Sequence, residues 1–289
     1  MPFTLSHAAA VLPVLRRTGT ARGPLIASAL VAGSFAPDVT YFADTVVPGA
    51  MLFGDFTHGV PGVLTADALI TALLVAAWLL LREPLVALLP AAWRGKVYAV
   101  VRGRPWQAAG APPLPVTLAW FYVSAVLGSL THIVWDAFTH QGRWGTRLLP
   151  VLNETVAGFP LCTYVQYGTS ALALGVLGWF LWTAVRRIPE AAEPAGLPVP
   201  TGGPRRLAVA LLALCLLAGA VHRTLRARAV YGDMAVTWFD YVPTVLFGAG
   251  AGLALGLPLY AVAVRLLHRR ARTPRTGGAD AYDRPGTRP

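Results

Sequence analysis

Long apolar runs separated by short polar connections dominate this chain. A helix needs roughly 20 apolar residues to cross a hydrocarbon layer about 30 Å thick, and five runs meet or approach that length. The fourth run is the shortest and needs residues from its flanks. The runs are Gly62–Leu81, Val116–Phe138, Tyr167–Val185, Leu207–Val221 and Val242–Leu267. The pattern therefore predicts an all-α fold, an integral membrane helical bundle with about five transmembrane helices.

Two earlier apolar runs, His7–Leu15 and Pro24–Ala36, are too short to span, and Pro or Gly residues interrupt or bound both. They predict an N-terminal pair of short helices, arranged as a re-entrant hairpin or along the membrane interface. A sixth full span is the competing interpretation. Residues 1–270 are expected to form a single membrane-embedded helical domain. The Arg-, Gly- and Pro-rich residues 271–289 are expected to form a disordered basic tail.

The composition agrees with a membrane protein. Of the 289 residues, 55% are hydrophobic and only 13% are charged, whereas about a quarter of a soluble domain is charged. Cys162 lies in a connection and Cys215 in an apolar run, so the sequence predicts neither a disulfide nor a cysteine zinc site. The N-terminus lacks a basic segment followed by an apolar core and a cleavage site, so we expect no removable signal peptide.

The chain is strongly basic, with a formal net charge of +11. No basic stripe alternates with aromatic residues, and the arginines flank apolar runs, which excludes nucleic acid as the expected partner and favours membrane lipid. Sixteen of the 24 Lys and Arg residues fall in residues 82–115, in residues 186–206 and from Arg265 onwards. Because cytoplasmic loops carry the excess of basic residues, this predicts a plasma-membrane protein with its N-terminus outside and its tail in the cytoplasm.

The densest group of potential metal ligands is His132, Asp136 and His140. On a helix these residues occupy positions i, i+4 and i+8, so they share one face about 6 Å apart at each step. Imidazole nitrogen and carboxylate oxygen together suit zinc, manganese or ferrous iron. The alternative is a hydrogen-bonded His–Asp pair that only joins two helices.

Three further residues are expected at the same membrane level. His58 precedes the first span, and His7 and Asp38 lie on the N-terminal short helices. Taken singly, each also fits an ordinary role, namely an interfacial ring, a surface His or the acid of a helix-ending turn. In the five-span topology all of them reach the outer face, where the second span ends. The predicted metal ligands are therefore His7, Asp38, His58, His132, Asp136 and His140.

Four sequence motifs together resemble a known family. They are MPFTLSHAA at residues 1–9, GSFAPD at 33–38, Thr57-His58, and SLTH followed by Asp136 and Thr139-His140. They resemble a bacterial family of multi-pass membrane proteins of unknown function. That family is distantly similar to inner-membrane metal-dependent hydrolases and to zinc-dependent phospholipase C. The resemblance implies the same ligands, with His140 as an extra candidate. It also implies one or two ions rather than three, because a later His-xxx-Glu pair is absent.

The leading hypothesis is a membrane-bound metal-dependent hydrolase that acts on a lipid or lipid-linked phosphoester. A divalent metal, zinc by the resemblance, would activate water, and Asp136 or Asp38, whichever is not a ligand, would accept the proton. The alternative is a non-enzymatic scaffold, accessory or transport-related protein whose His and Asp groups are interhelical hydrogen bonds. The sequence leaves open whether the chain is an enzyme, and it does not predict an oligomeric state.

Overall fold

Five long helices form the frame of the protein in a computed structural model. The structure describes residues 3–103, 110, 112–189, 191, 193–194, 197–200, 202–232 and 238–272. Within these residues, five helices are long and apolar enough to cross a membrane. They are α6 (Ala66–Ala87), α8 (Leu114–Thr139), α10 (Leu161–Arg186), α11 (Gly203–Tyr231) and α12 (Tyr241–Arg272). The predicted all-α membrane bundle is confirmed.

Short elements fill the N-terminal region and the connections. The short α-helices are α1 (Ala8–Val11), α2 (Ala27–Gly33), α3 (Val39–Ala43), α4 (Gly54–Thr57), α5 (Val60–Leu64), α7 (Ala91–Val101) and α9 (Trp144–Leu148). Single 3₁₀ turns cover Thr4–His7, Leu12–Val14, Ala36–Asp38, Ala50–Phe53, Pro150–Asn153 and Trp238–Asp240. Two-residue strands β1 (Thr155–Val156) and β2 (Phe159–Pro160) pair antiparallel.

Helix boundaries differ from the apolar runs where charged residues continue a helix. The fourth run, predicted as the shortest, lies in a 29-residue helix, because α11 includes Arg205 and Arg206 at its start and Arg223, Arg226 and Arg228 near its end. Arg and Ala are strong helix formers, so polarity alone does not stop a helix. Helix α7 lies in a connection for which the apolar pattern predicts no element. The predicted tail 271–289 lies outside the described residues except for its first two, which complete α12.

The N-terminal short helices form a re-entrant hairpin. We call the end of the bundle where α8 ends and α10 begins the site end, and the opposite end the far end. The chain enters from the site end through α1 and turns at residues 15–21, where Leu15 and Ala21 form an isolated bridge. The turn packs near the far end, since a Cβ on Gly19 would lie 1.8 Å from the Val100 carbonyl oxygen of α7. Helix α2 then returns beside α8.

The last two spans pack closely along a row of glycines. A Cβ on Gly252 would lie 2.0 Å from the Cys215 carbonyl oxygen, and one on Gly248 would lie 2.5 Å from that of Gly219. Small residues permit this backbone approach within a membrane. The row Gly248, Gly252 and Gly256 therefore faces α11 inside the protein.

Candidate metal centre

Helices α2 and α8 are in backbone contact, and this contact positions half of the site. A Cβ on Gly128 would lie 2.3 Å from the Leu30 carbonyl oxygen, and one on Gly33 would lie 2.4 Å from that of Ala125. Only glycine fits at both positions. Ser129 adds a hydrogen bond from its hydroxyl to the Gly33 carbonyl oxygen, at 3.0 Å. The end of α2 is thereby fixed one turn from His132.

Backbone carbonyls orient two histidines in the same way. Nδ1 of His132 lies 2.8 Å from the Ser34 carbonyl oxygen, and Nδ1 of His58 lies 2.8 Å from the Gly54 carbonyl oxygen. A carbonyl oxygen only accepts hydrogen bonds, so Nδ1 carries the proton in both rings. In a neutral ring, Nε2 then presents a lone pair. Histidines that bind metals are typically held by such an outer hydrogen bond.

Asp38 is held beside these rings by two threonines. The Thr57 hydroxyl donates to the Pro37 carbonyl oxygen at 2.8 Å, which ties the His58 segment to the turn that carries Asp38. The Thr4 hydroxyl donates to Oδ2 of Asp38. Asp38 is fully buried, and its other oxygen, Oδ1, faces the two histidines.

Four ligand atoms converge in the interior. Asp38, His58, His132 and Asp136 are all buried, and one ligand atom from each lies within 4.8 Å of the other three. Their Nε2 and carboxylate atoms alternate around a ring with neighbouring separations of 3.4 or 3.5 Å. We call these four residues the cage. The predicted ligands from three distant parts of the chain thus meet at one place.

The separations in the cage fit a bound ion better than hydrogen bonds. An N–H···O bond measures about 2.7–3.2 Å, so 3.4–3.5 Å is too long, and Nε2 of His132 has no hydrogen-bond partner although it is fully buried. Ligands about 2.1 Å from a tetrahedral zinc ion lie about 3.4 Å from one another. Two carboxylates facing two neutral imidazole lone pairs also repel unless a metal ion lies between them or an imidazole takes up a proton. The cage could therefore hold one divalent metal ion.

His7 extends the cage on one side. Its ring stacks on His132 with centroids 3.7 Å apart, and its Nε2 lies 3.4 Å from Oδ1 of Asp136. Burial and the adjacent His132 hold the pKa of His7 well below its ordinary value, so the ring is neutral at pH 7. Neither nitrogen has a hydrogen-bond partner, nor has Oδ1 of Asp136. Buried polar atoms normally have partners, so a water molecule or ion is expected here.

His140 lies at the edge of the cage. Its Nδ1 lies 3.6 Å from Oδ2 of Asp136 but closer, at 3.2 Å, to the Asp136 carbonyl oxygen. Its Nε2 lies 3.1 Å from the side-chain nitrogen of Gln166. These contacts give Nδ1 the proton and let Nε2 accept from Gln166. In this rotamer His140 serves as a wall residue, and a role as a metal ligand stays a prediction.

His58 has an altered proton affinity. Burial lowers its pKa, but the carboxylates of Asp136 and Asp38 outweigh burial, and the pKa of His58 is raised above its ordinary value. The same negative charge that attracts a proton attracts a metal ion. Protons and a metal therefore compete for this side chain.

A cavity of about 530 Å³ lies beside the cage at the site end. Tyr41 and His140 contribute to its wall, and the Tyr41 ring lies 5.6 Å from that of His58. Arg223 and Arg226 of α11 line another part. The cavity thus joins the neighbourhood of the cage to the surface of the bundle.

Sequence reasoning missed the ion-pair network of this cavity. Arg223 is buried and donates to the Tyr41 carbonyl oxygen at 2.6 Å and to the Thr45 hydroxyl at 2.8 Å. Arg226 pairs with the buried Asp44 carboxylate. Arg at the end of an apolar run is usually a lipid anchor, and nothing near Asp44 in the sequence distinguishes it. The pairing depends on the folding of α11 against the N-terminal region.

The family of the chain follows from a match over almost its whole length. Residues 1–262 match the family model described as "Domain of unknown function (DUF4184)". The chain belongs to this family. Every residue of the cage, together with His7 and His140, lies within the matched region. The predicted membership of a family of unknown function is confirmed.

No curated protein and no solved structure matches the chain significantly. The family description names no activity. The distant similarity to metal-dependent hydrolases therefore stays a prediction.

Proposed function

We propose that this DUF4184 protein is a membrane-embedded, metal-dependent hydrolase that acts on a lipid or lipid-linked phosphoester. The observation that carries the proposal is the cage, in which two buried carboxylates and two oriented imidazoles face one another at 3.4–3.5 Å. Placing an ionisable group within a membrane-spanning helix costs free energy. The presence of His132 and Asp136 in α8 therefore favours a functional role for them. Hydrogen bonds between helices, the non-enzymatic alternative, would have shorter separations.

In the proposed reaction, some residues of the site would bind the metal ion and others would accept a proton. When bound, a divalent ion supplies a Lewis acid that polarises a phosphoryl oxygen and makes water more acidic. Asp38, His58, His132 and Oδ2 of Asp136 would hold it. Oδ1 of Asp136 faces His7 at 3.4 Å. This carboxylate oxygen would accept the proton of the attacking water, and the neutral His7 ring beside it would help to position that oxygen.

The cavity beside the cage is suited to an anionic headgroup. Two guanidinium groups, those of Arg223 and Arg226, line it. Arg226 is only partly buried, so part of its guanidinium group can reach a ligand. Arginine offers several donors in a plane that matches phosphate oxygens. These features support a phosphoester over a neutral ester.

The site end faces the outside of the cell in this proposal. Arg16, Arg17 and Arg22 belong by sequence position to the outer group of basic residues, but their hairpin turn packs near the far end, where Arg17 lies over the Trp179 ring at 5.2 Å. When these three arginines are counted at the far end, the excess of basic residues at that end is larger than the sequence pattern predicts. The positive-inside tendency then favours a cytoplasmic far end more strongly.

A hydrolysis assay tests the proposal. Protein in mixed micelles with phosphatidic acid or phosphatidylglycerol should release inorganic phosphate or glycerol phosphate, depending on which bond is cut, and only when zinc or manganese is present. Asp136→Asn should lower the rate at least 100-fold, whereas the exposed carboxylate variant Asp55→Asn should keep it. If the metal-loaded protein cleaves neither lipid, the phosphoester hydrolase proposal is wrong even if the cage binds metal.

A further inference from the structure

One segment outside the spans exposes an unusual number of apolar side chains. Residues 46–60 connect α3 to α5 and carry the cage residue His58. Asp55 is the only charged residue among them. The exposed apolar side chains are Val46, Val47, Met51, Leu52, Phe53, Phe56 and Val60, and Leu52 is 81% exposed. In an aqueous loop such a concentration would be unfavourable.

The backbone of this segment is fixed, so the exposure does not result from a loose loop. At its start, the Asp44 carboxylate accepts a hydrogen bond from the Gly49 amide at 2.8 Å and is held by Arg226. In the middle, Gly54 packs against the Tyr41 ring, where a Cβ would lie 2.7 Å from the hydroxyl oxygen. Near its end, Thr57 is bonded to Pro37. Polar contacts face inward and apolar side chains face outward.

The apolar surface continues directly onto a spanning helix. Val60 and Leu64 of α5 are exposed, and Leu69 and Leu73 continue the row along α6. The spacing of four residues within each pair keeps Val60 and Leu64 on one side of α5, and Leu69 and Leu73 on one side of α6. On α6 this side faces lipid, because α6 is one of the five candidate spans. The outward side of residues 46–60 is therefore an extension of the lipid-facing surface.

A second apolar edge lies at the same end of the bundle. The connection between α8 and α10 exposes Leu148, Leu149, Val151 and Val156. Met51 of the first segment also lines the cavity beside the cage. Apolar side chains thus lie beside the cavity at the end where His58 and Asp136 are placed.

We infer that residues 46–60 are immersed in the bilayer leaflet at the site end and place the mouth of the cavity at the boundary of headgroups and acyl chains. The occupant of this surface is lipid, since it is continuous with the lipid-facing side of α6 and carries one charge. An amphiphile could then place its headgroup in the cavity while its chains stay beside Met51 and Leu52. The immersion stands on its own, and only this route for substrate rests on the proposed function.

Spin-label depth measurements in liposomes test the inference. In a Cys162→Ser, Cys215→Ala background, single cysteines at Leu52 and Phe53 would carry the label. Their collision rates with oxygen and with a water-soluble nickel chelate would be compared. The label at either position should meet oxygen more often than the chelate, as it does at the lipid-facing control Leu172→Cys.

The aqueous control is Glu193→Cys, an exposed acid in the polar connection between α10 and α11. If labels at Leu52 and Phe53 resemble that control rather than Leu172→Cys, the segment lies in water and the inference is wrong. The measurement needs no metal and no substrate. Failure would therefore leave the proposed hydrolase untouched, and failure of the hydrolase assay would leave the immersion intact.

Discussion

Replacing Asp136 by Asn should separate a metal cage from a set of structural hydrogen bonds. The variant keeps the size of the side chain and removes one of the two buried carboxylates of the cage. In the metal-bound protein it removes a ligand. In the metal-free protein it removes a negative charge within 4.8 Å of the Asp38 carboxylate. The sign of its effect on stability should therefore depend on whether metal is present.

The magnitude follows from the geometry of the cage. Two unit charges 4.8 Å apart repel by about 3.5 kcal/mol at an effective dielectric constant of 20. The gain in the metal-free Asn variant is of this order, because 4.8 Å is the largest separation within the cage, while proton uptake by His58 relieves part of the repulsion in the wild type. In the metal-bound wild type, an ion at 100 times its Kd contributes about 2.7 kcal/mol. Adding EDTA should remove that stabilisation.

Thermal unfolding in detergent, followed by tryptophan fluorescence with and without EDTA, measures these differences. EDTA should lower the Tm of the wild type and leave that of Asp136→Asn unchanged. The Asn variant should be more stable than the EDTA-treated wild type. The control Asp55→Asn should respond to EDTA like the wild type.

An Asp136→Asn variant that is less stable than the EDTA-treated wild type would refute the reasoning. If Asp136 only joins helices, its removal breaks a buried interaction, which typically costs 3–5 kcal/mol. Asp136→Asn would then be less stable than the wild type in EDTA, and EDTA would have no effect on either protein.

Three further predictions concern the surroundings of the cage. Gly128→Ala should separate α2 from α8 and weaken metal binding at least tenfold in a metal titration, whereas Gly168→Ala, whose added Cβ meets nothing within 4 Å, should bind like the wild type. Metal affinity, measured by metal titration at several pH values, should fall as the pH is lowered from 8 to 5.5, because protons compete with the metal for the ligands. Since the pKa of His58 is raised, the loss of affinity should begin above pH 6.5. Arg226→Gln should lower the free energy of unfolding by about 1–3 kcal/mol, measured by urea or thermal unfolding, because it removes one of the two arginines that pair with the buried Asp44 carboxylate and leaves only Arg223, at 3.5 Å.

The long helices could be predicted because hydropathy alone determines them. A run of about 20 apolar residues has few alternatives in a membrane. Their ends could not be predicted equally well. Helix α11 continues through its arginines, and Val60–Leu64 forms a helix separate from α6 because the backbone breaks at Thr65. Helix propensity accounts for the first feature, and the non-helical backbone of Thr65 accounts for the second.

Part of the site could be predicted from spacing and part from topology. His132 and Asp136 share a helix face by their separation of four residues, and the pattern of spans brings His58 to the same membrane level. The path of the N-terminal hairpin does not follow from the sequence pattern, because it depends on close backbone contacts at Gly33 and Gly128 that no local signal indicates. The roles of Arg223 and Asp44 depend on contacts between distant parts of the chain.

Metal content of the purified protein tests the central claim most directly. Elemental analysis of detergent-purified wild type, after dialysis against trace zinc and manganese, should find about one tightly bound divalent ion per chain. His132→Ala should lose the ion, and His222→Ala, which removes an exposed imidazole outside the cage, should keep it. Equal metal content in the wild type and His132→Ala, or none in either, would contradict the account.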